Sequence, residues 1–522
     1  MVWNDEIDEL NYRLKLAHQM GGKEGVDRQH SRGKLTVRER IDAFADQGTF
    51  KELSALAGGS TYENNRLVSF TPYPRVMGTC KIDGVRVLVD GGDFTVRGGA
   101  GEHGSGSKPS PLKYATQWQL PYIRFLDAAG GSVRTFEQIG RTYTPDGNSH
   151  STMAVSLLNQ VPVVSAVLGS VAGLPAIDAC LCHFSVMVKD TGQVFPGGPP
   201  VVKAALGYDI TKEELGDYRT QVYGSGVIDN LANSEQEAFD MIRRFLSFMP
   251  TSVWKKPARV EPSDHPDRRS EELLSIIPKN NKRRYDPYRI LDLVMDNKSF
   301  FEIAPHYGRS RITGLARVNG YPVGVMINNP NHLGGSMDVA AGEKVIRFFS
   351  LCDTFHLPLV SFVDEPGFMV GLEAQKQGIV RAGARVVAAS CRSQTPWISF
   401  YIRQAFGVAG QTQHRPTGMY LRYAWPSGKW GSMHIEGGVS AAYRREIEAS
   451  DDPSAKTEEI EARLKAMGSP FRTAEDAAGE SGADGIDIID PRDTRPILCD
   501  FVDMAQDIVD TQLGPPTVPY LP

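Results

Sequence analysis

The chain has 522 residues, of which 41% are hydrophobic and 23% are charged, and its formal net charge is −5. These values are typical of a globular protein with more than one domain. The negative charge argues against nucleic acid as the main partner, and no apolar run approaches the roughly 20 residues that cross a membrane.

The N-terminal segment predicts helix and not a targeting signal. Residues 1–22, MVWNDEIDELNYRLKLAHQMGG, are acidic and amphipathic and lack a basic start followed by an apolar core. Residues 1–50 are therefore expected to form a helical lead-in, and the protein is expected to be cytoplasmic. The six cysteines form no CxxC pair and accompany no histidine cluster, so no metal site is predicted and all six are expected to be reduced and buried.

A long internal repeat predicts a duplicated domain. The stretches LPYIRFLD at Leu120–Asp127 and LPLVSFVD at Leu357–Asp364 are nearly the same. A period this long excludes a solenoid, whose repeats span about 20–50 residues. Landmarks on either side keep the same order and a nearly constant offset: Gly84 with Gly320, Gly98-Gly99 with Gly334-Gly335, Pro162 with Pro396, and Gly173 with Gly407.

Both halves predict alternating strands and helices. RVLVDGGDF and PVGVMINN are apolar and β-branched, as strands are, and the apolar residues of Val345–Phe355 recur at helical spacing. Thr211 and Glu214 have the spacing of a capping box, so a helix is expected to begin there and to end at Gly216. This alternation predicts an α/β fold with parallel sheets.

The repeat and the composition predict the domain boundaries. Residues 1–254 and 273–522 are expected to be the two domains, and the charged, proline-containing segment 255–272 is expected to be a linker. Within the second domain, the charge-rich segment Ala449–Met467 predicts an exposed helical insertion.

One glycine-rich stretch resembles a dinucleotide-binding motif but lacks the features that should follow it. Gly99 to Gly104, GAGEHG, matches the GxGxxG pattern after a predicted strand. A dinucleotide site also needs an immediate helix and an acidic residue about 20 positions later. Here SGSKPSP follows, which starts a helix poorly, and Asp127 lies 26 residues beyond Gly101.

Glycines at the predicted strand-to-helix turns are the stronger candidates. Backbone N–H groups at such turns can bind a developing negative charge, which is how an oxyanion hole forms without side chains. Ordinary turn chemistry is the alternative for any single glycine. Equivalent turns in both copies favour a functional role for Gly98-Gly99, Gly130-Gly131, Gly173, Gly334-Gly335, Gly367 and Gly407.

Four segments carry a family resemblance: RGKLTVRERIDAFADQGTFKEL (Arg32–Leu53), FSVMVKDTGQVFPGGPPVVKAALG (Phe184–Gly207), LGGSMDVAAGEKVIRFFSLCDTFHLPLVSFVDEPGFMVG (Leu333–Gly371) and YAWPSGKWGSMHIEGGVSAAYRREI (Tyr423–Ile447). The chain resembles the carboxyltransferase (β) subunit of biotin-dependent acyl-CoA carboxylases, the group of the propionyl-CoA and methylcrotonyl-CoA carboxylases. The resemblance implies an α/β fold of two homologous crotonase-like (ββα superhelix) domains in tandem, which would explain the repeat.

The resemblance also implies the chemistry and the site. Carboxybiotin on a partner protein would give its carboxyl group to an acyl-CoA through a thioester enolate, with no metal in this chain. The amides of Gly173 and Leu174 would hold the enolate oxygen, and Gly98, Gly99 and Ala172 would line the coenzyme A site. The biotin side would comprise Gly407, Val408 and Ala409 with the loop residues Pro366, Gly367 and Phe368.

Departures from the family pattern concern the substrate. Short-chain members carry an aspartate where this chain has Gln411, and they have a second glycine where it has Leu174 before Pro175. The family element DSGGAR is replaced by DAAGGSVR at Asp127–Arg134. These differences argue against acetyl-CoA and propionyl-CoA as substrates.

The resemblance further implies partner subunits, and it leaves two alternative functions open. No AMKM-type biotinylation motif occurs in the chain, so it would need a biotin carboxylase and biotin carboxyl carrier subunit, and it would form dimers assembled into hexamers. The same motifs fit the carboxyltransferase of a biotin-dependent decarboxylase or transcarboxylase. The irregular glycine turns also leave open a non-catalytic scaffold paralogue within a carboxylase complex.

Overall fold

The computed structural model describes residues 3–100, 108–144, 148–280, 283–476 and 485–522. Two glycines of the GxGxxG match, Gly101 and Gly104, lie outside these residues. The chain divides into two compact units, Met1–Lys255 with Pro522 (unit 1) and Lys256–Leu521 (unit 2). The predicted linker limits, 255 and 272, remain a prediction.

Unit 1 contains ten strands and ten α-helices among its described residues. The strands are β1 Lys51–Glu52, β2 Gly58–Glu63, β3 Arg66–Pro72, β4 Arg75–Ile82, β5 Val85–Gly92, β6 Tyr122–Ala128, β7 Val163–Ala172, β8 Phe184–Val188, β9 Gln193–Phe195 and β10 Asn230–Ala232. The helices are α1 Asn4–His18, α2 Gly22–His30, α3 Val37–Phe44, α4 Pro111–Trp118, α5 Arg134–Ile139, α6 Asn148–Leu157, α7 Leu174–Cys180, α8 Pro199–Leu206, α9 Lys212–Gly216 and α10 Glu235–Phe248.

Unit 2 contains eight strands and ten α-helices among its described residues. The strands are β11 Phe301–Ile303, β12 Arg311–Val318, β13 Tyr321–Asn328, β14 Leu359–Glu365, β15 Trp397–Phe406, β16 Tyr420–Ala424, β17 Lys429–Gly431 and β18 Asp487–Ile488. The helices are α11 Pro287–Val294, α12 Val339–Thr354, α13 Leu372–Lys376, α14 Ile379–Arg392, α15 Gly407–Gln411, α16 Ile435–Ala442, α17 Arg444–Glu448, α18 Pro453–Met467, α19 Pro470–Glu475 and α20 Thr494–Gln512.

The two main sheets have the same topology. Unit 1 has the strand order β1-β4-β5-β6-β7-β8-β10 with β9 also paired to β7, and unit 2 has β11-β12-β13-β14-β15-β16-β18 with β17 also paired to β15. The register even shifts at equivalent places, between Leu126 and Ala128 and between Val363 and Glu365. The repeat found in the sequence is therefore a repeat of architecture.

Each sheet is mainly parallel, as predicted, and has antiparallel strands at one edge. Strands β4 and β5 pair antiparallel, as do β12 and β13, whereas β5 to β8 and β13 to β16 run parallel. Asp83-Gly84 and Asn319-Gly320 join the antiparallel pairs with positive φ at both residues. Such two-residue turns make tight hairpins, and a parallel crossover needs a dozen or more residues.

Apolar strands fill the centre of each sheet. In β7 every residue from Val163 to Gly169 is buried, and in β15 the same is true from Trp397 to Arg403. Continuous burial of this kind is expected of parallel strands that are covered on both faces. Helix α10 packs one side of unit 1 with Phe239, Ile242 and Phe245, all 0% exposed.

The structure confirms most local predictions and corrects one. Helices α1 to α3 lie in the predicted lead-in, α12 covers the predicted apolar stripe, and α18 lies within the predicted exposed insertion. The Thr211 capping box is formed at the start of α9, which ends at Gly216. The prediction that all cysteines are buried was wrong for Cys391, which is exposed on α14, and Cys180 is only half-buried. In the described part of the chain, no helix is long and apolar enough to cross a membrane.

Candidate active site

The strand-to-helix turns of unit 1 meet at one edge of its sheet. Strands β5, β6 and β7 are parallel, so the turns that follow them lie at the same edge. The Ala129 N–H donates to the Gly98 carbonyl at 2.9 Å. Gly130 approaches the backbone after β7 so closely that a Cβ there would lie 2.7 Å from the Ala172 carbonyl oxygen. The glycines therefore let three backbone turns pack directly on each other.

Gly173 and Leu174 form the turn from β7 into α7. Gly173 has φ 69° and ψ −135°, a conformation that favours glycine. Its N–H donates to the Pro196 carbonyl at 3.1 Å, so this amide is already engaged. Leu174 is the first residue of α7, where an N–H has no partner within the helix, and no described residue accepts from it. Of the two predicted donors, Leu174 is the available one.

A cavity of about 360 Å³ opens beside these turns. Gly99, Gly130 and Leu174 are among its lining residues. Part of the wall is apolar, with Pro74, Phe125, Leu126, Ala128 and Pro175. Another part is polar, and its side chains are Tyr73, Arg75, Asp90, Tyr122, Arg124, Asp127, His150 and Asp178.

Asp90 is the centre of one polar cluster in this wall. The Tyr122 hydroxyl donates to Asp90 Oδ2 at 3.0 Å, and Arg75 Nε lies 3.3 Å from Asp90 Oδ1. The negative charge of Asp90 raises the pKa of Arg75. Burial, followed by the same negative charge, raises the pKa of the Tyr122 hydroxyl well above its ordinary value. Tyr122 therefore stays protonated and acts as a donor.

Asp178 is the centre of a second polar cluster. The imidazole Nε2 of His150 lies 3.0 Å from Asp178 Oδ1 and 3.1 Å from Oδ2. Arg124, which is 3% exposed, donates from Nη1 to the carbonyls of Asp178 and Leu181 at the end of α7. These bonds hold the carbonyl end of the helix whose first residue is Leu174.

The equivalent turns of unit 2 are formed by Gly334-Gly335, Gly367 and Gly407. Gly407 has φ 61° and begins α15, and its neighbours Val408 and Ala409 complete the first turn of that helix. The Val408 side chain is 51% exposed, whereas that of Ala409 is buried. The N–H groups of this first turn have no partner within the helix.

The loop at Pro366–Phe368 is held by its own unit. The Gly367 N–H donates to Glu365 Oε1 at 3.0 Å, and His434 Nε2 donates to the Pro366 carbonyl at 2.7 Å. The Phe368 ring packs against Gly383 of α14, where a Cβ would lie 2.9 Å from the ring. The loop backbone is fixed, and the Gly367 amide is not free to bind a ligand.

A cavity of about 590 Å³ lies beside Gly407 and Val408. Gln411 also lines it, as do Tyr401, His414 and Arg422. The Tyr401 hydroxyl hydrogen-bonds to His414 Nδ1 at 3.3 Å. Burial, followed by the positive charge of Arg422, lowers the pKa of His414 to about 4, so this imidazole is neutral at physiological pH.

The structure brings together only part of the predicted site. Gly99 and Leu174 line the unit-1 cavity, with Gly98, Ala172 and Gly173 in the backbone around it. Gly407 and Val408 line the unit-2 cavity, whereas Ala409 is buried and Pro366, Gly367 and Phe368 lie in the adjoining loop. Over the described ranges, no group of three metal-ligating side chains occurs.

Sequence reasoning missed the polar clusters of both cavities. A signal was available for two residues, because Tyr122 and Arg124 stand in the first copy of the repeat where the second copy has Leu359 and Ser361. An arginine in an otherwise apolar buried strand needs polar partners nearby. The partners themselves come from distant parts of the chain and gave no local signal.

Comparison with known proteins adds an independent finding. The carboxyl transferase domain family matches residues 28–508. A propionyl-CoA carboxylase carboxyltransferase subunit of Haloferax mediterranei is 34% identical over 506 residues, which are 95% of this chain and 95% of that protein. Methylmalonyl-CoA decarboxylase subunit alpha of Propionigenium modestum is 30% identical over 510 residues, which are 96% of each chain.

A solved structure agrees with the sequence matches. The transcarboxylase 12S protein, determined as a hexamer with methylmalonyl-coenzyme A and methylmalonic acid bound, superimposes with a TM-score of 0.85. It is 29% identical and covers 96% of this chain and 95% of its own.

Proposed function

Because this chain belongs to the carboxyl transferase family of biotin-dependent acyl-CoA carboxylases and transcarboxylases, we propose that it transfers a carboxyl group from carboxybiotin to an acyl-CoA. It is an α/β enzyme subunit with two homologous crotonase-like domains in tandem. The proposal extends this family membership to the reaction path, the residues and the partners.

The observation that carries the proposal is the unengaged Leu174 N–H beside the unit-1 cavity. Removing the α proton of an acyl thioester, which would pass to the biotin nitrogen that gives up the carboxyl group, puts negative charge on the thioester oxygen. The Leu174 N–H, at the first turn of α7, donates to that oxygen, and the N-terminal end of the helix adds a favourable partial charge. Gly173 gives the turn its shape, since its own N–H is occupied by Pro196.

The biotin side is assigned to the turn at Gly407, Val408 and Ala409. The first-turn N–H groups of α15 can donate to a ureido oxygen, and the cavity beside them, at about 590 Å³, lies within the range of small-molecule sites. Carboxybiotin supplies the carboxyl group when bound. Pro366, Gly367 and Phe368 keep the adjoining backbone in place through Glu365, His434 and Gly383.

The proposal includes partners and assembly. The chain resembles subunits of biotin-dependent complexes, so a biotin carboxylase and a biotin carboxyl carrier subunit would charge and deliver the biotin. The hexamer of the 12S protein supports a dimer-based hexamer for this chain.

The test is isolation of the chain with its biotinylated partner, followed by fixation of [14C]bicarbonate with ATP across a panel of acyl-CoAs. Fixation that depends on ATP, on one class of acyl-CoA and on the biotinylated partner is expected, and avidin should abolish it. Because Gln411 replaces the aspartate of short-chain members, acetyl-CoA and propionyl-CoA are expected to be poor substrates.

A second candidate is the reverse reaction. The similarity to a methylmalonyl-CoA decarboxylase alpha subunit favours a decarboxylase or transcarboxylase with the same site. Transfer of the carboxyl group from a carboxylated acyl-CoA to biotin, without an ATP requirement, would favour the decarboxylase or transcarboxylase function. No activity in either direction with a folded, biotinylated complex would support a scaffold paralogue.

A further inference from the structure

His150 and Asp178 form a histidine–carboxylate pair in the wall of the unit-1 cavity. The imidazole Nε2 lies 3.0 Å from Asp178 Oδ1 and 3.1 Å from Oδ2, and both residues line the cavity together with Leu174, the proposed enolate donor. In the proposed function the α proton passes to the biotin nitrogen, so the pair has no role in that path. A role for it rests on the proposed function for the substrate class and for the place of the enolate oxygen.

The pairing leaves one imidazole nitrogen able to accept a proton. An ionised carboxylate only accepts hydrogen bonds, so the nitrogen that faces Asp178, Nε2, carries the hydrogen. The other nitrogen, Nδ1, then carries the lone pair, and no residue in the described ranges donates to it. A histidine oriented by a carboxylate, with its second nitrogen open, has the arrangement of a general base. The His150 side chain is 34% exposed, so it can also exchange a proton with solvent.

The carboxylate of the pair lies on the same helix as the enolate donor. Leu174 begins α7 and Asp178 comes four residues later, so the two lie on one face of the helix about one turn apart. The Asp178 carbonyl accepts from Arg124 Nη1 and from the Ser165 hydroxyl, the latter at 3.3 Å. One fixed element therefore carries both the group that orients the base and the N–H that binds the enolate oxygen.

The other ionisable side chains of the wall are already engaged. Arg75 pairs with Asp90 at 3.3 Å, and the Tyr122 hydroxyl donates to the second oxygen of Asp90. Asp127 is buried and is bound by two cations. Among the described lining residues, His150 is therefore the base whose lone pair is open to a ligand.

The wall favours proton transfer over acyl transfer to the protein. None of the described lining residues is serine, threonine or cysteine, so His150 has no hydroxyl or thiol nucleophile to activate within the cavity. The proton that a base beside Leu174 can take is the α proton of the thioester, because its removal creates the charge that the Leu174 N–H binds.

We propose that this site enolises an acyl-CoA without biotin, with His150 as the catalytic base, and so exchanges the α protons of the thioester with solvent. The Cα–H bond breaks, and its electron pair forms the C=C bond of an enolate whose oxygen accepts from the Leu174 N–H. The proton passes to His150 Nδ1, and Asp178 stabilises the imidazolium that forms. The imidazolium exchanges this proton with water and returns a solvent proton to Cα, which regenerates the thioester.

The test uses the intact complex in D2O without ATP or bicarbonate and with avidin added, so that biotin takes no part. The probes are pentanoyl-CoA, hexanoyl-CoA and the thioester that the same complex carboxylates, or forms by decarboxylation, fastest. Mass spectrometry of the recovered thioester counts the deuterium gained at Cα. We expect exchange at least about 100-fold above the rate without protein, as for a positioned general base.

Two variants connect the exchange to the pair. His150→Gln removes the base and should lower exchange at least about 100-fold, and Asp178→Asn, which no longer fixes the imidazole tautomer, at least about tenfold. Acyl-CoA affinity, measured by calorimetry, should stay within about threefold of wild type in both, which separates a lost base from a distorted cavity. His30→Gln is the matched control, because His30 Nε2 lies 2.9 Å from Glu39 Oε2 in a similar pair that does not line the cavity, and exchange should be unchanged.

The outcomes separate this activity from the proposed function. No exchange of a thioester that the same complex carboxylates would overturn the enolisation activity while the carboxyltransferase function stands. Exchange that persists in His150→Gln, or release of free CoA in place of exchange, would also overturn it. Exchange by a folded, biotinylated complex that transfers no carboxyl group in either direction would overturn the proposed function alone, and the absence of both reactions would overturn both.

Discussion

Both units have a buried aspartate at the equivalent position, but the cations that pair with it come from different parts of the chain. Asp127 and Asp364 occupy equivalent positions in β6 and β14, and each is 0% exposed. Asp127 binds Lys34 Nζ at 2.8 Å and Arg40 Nη1 at 3.1 Å, both from the N-terminal part of unit 1. Asp364 instead binds Arg403 Nη2 at 2.9 Å, from the neighbouring strand β15.

The position of Arg403 explains the difference. Its equivalent in β7 is Gly169, where a Cβ would lie 2.0 Å from Asp127 Oδ1. Unit 1 therefore has no room for a cation on that strand, and its two cations come from α3 (Arg40) and from the segment before it (Lys34). What the two units share is a neutralised carboxylate at the edge that carries the glycine turns, and the source of the cation is free to vary.

The cavities differ in the same way. The turns at Gly173 and Gly407 have similar positive φ values, 69° and 61°. Around them, unit 1 places Tyr122 and Arg124 where unit 2 has Leu359 and Ser361. The duplicated backbone thus provides two similar sheet edges, and the side chains make the two edges chemically different.

The largest expected effect comes from removing Arg40, one of the two cations of Asp127 in unit 1. Arg40 is 0% exposed and also binds Glu235 through Nε at 2.9 Å and Nη2 at 2.8 Å. Arg40→Met leaves Glu235 without this cation and removes one of the two cations of Asp127, which keeps Lys34, so it should lower the free energy of unfolding by about 3–5 kcal/mol. Arg403→Met acts on the single carboxylate of Asp364, to which Tyr285 and Gln404 still donate, and should cost about 2 kcal/mol. Urea unfolding midpoints of the two variants measure this.

A second substitution provides the control. Adding Glu235→Gln to Arg40→Met removes the stranded charge of Glu235 and should restore part of the lost stability. If Arg403→Met proves as costly as Arg40→Met, the single ion pair of unit 2 contributes as much as the two ion pairs of Arg40, and the comparison between the units fails.

The next effect is catalytic and tests the two turns separately. Leu174→Pro deletes one backbone donor at the first position of α7, where proline fits a helix. We expect kcat to fall about 10²–10³-fold with little change in acyl-CoA affinity, as for loss of one oxyanion donor. Val408→Pro should also lower kcat, by acting on the biotin side. Single-turnover carboxyl transfer, with acyl-CoA binding measured by calorimetry, distinguishes the two.

Leu174→Ala is the matched control, since it keeps the N–H and removes only the side chain. Turnover that is unchanged by Leu174→Pro in a correctly assembled complex would remove Leu174 from the site. That result would leave the scaffold reading standing.

Much of the backbone fold of the two units could be predicted from the sequence. Matching landmarks such as Gly173 and Gly407 predicted the duplication, and the apolar, β-branched stretches RVLVDGGDF and PVGVMINN predicted β5 and β13. These signals are local, because a turn or a buried strand depends on neighbouring residues. The pairing of Asp127 with Arg40, 87 residues away, depends on tertiary packing and left no local pattern. The hydrogen bond from the Gly173 N–H to the Pro196 carbonyl could not be predicted for the same reason.

A smaller effect depends on pH and belongs to the unit-2 cavity. His414 has a pKa lowered to about 4 by burial, below its ordinary 6.5. The folded state therefore binds fewer protons than the unfolded state in this range, and stability falls as pH falls from about 6.5 toward 4. His414→Asn should remove about 2 kcal/mol of this loss.

The measurement is the difference in unfolding midpoint between wild type and His414→Asn at pH 7 and pH 5. Wild type and variant must be compared because a second group titrates in the same pH range. Burial raises the pKa of Asp353 to about 6, so this carboxyl stabilises the folded state as the pH falls from about 6 toward 3.8, and it does so in both proteins. A wild type and variant that lose stability in parallel on acidification would show that His414 does not carry the effect.

The smallest expected effect compares the helix caps of α3 and α11, which have equivalent places in the two units. Thr36 accepts from the Glu39 N–H at 3.4 Å in a full capping box and is 1% exposed. Asp286 is exposed and accepts from the Tyr288 N–H at 3.0 Å, and Pro287 leaves α11 one N–H fewer to satisfy. Thr36→Ala should cost about 1–2 kcal/mol and Asp286→Ala about 0.5–1 kcal/mol. Thr36→Ser, which keeps the hydroxyl, should recover most of the loss. If Asp286→Ala lowers the free energy of unfolding as much as Thr36→Ala or more, burial of the capping side chain does not determine how much it stabilises the helix. The two units would then differ in their side-chain clusters but not in the strength of these helix caps.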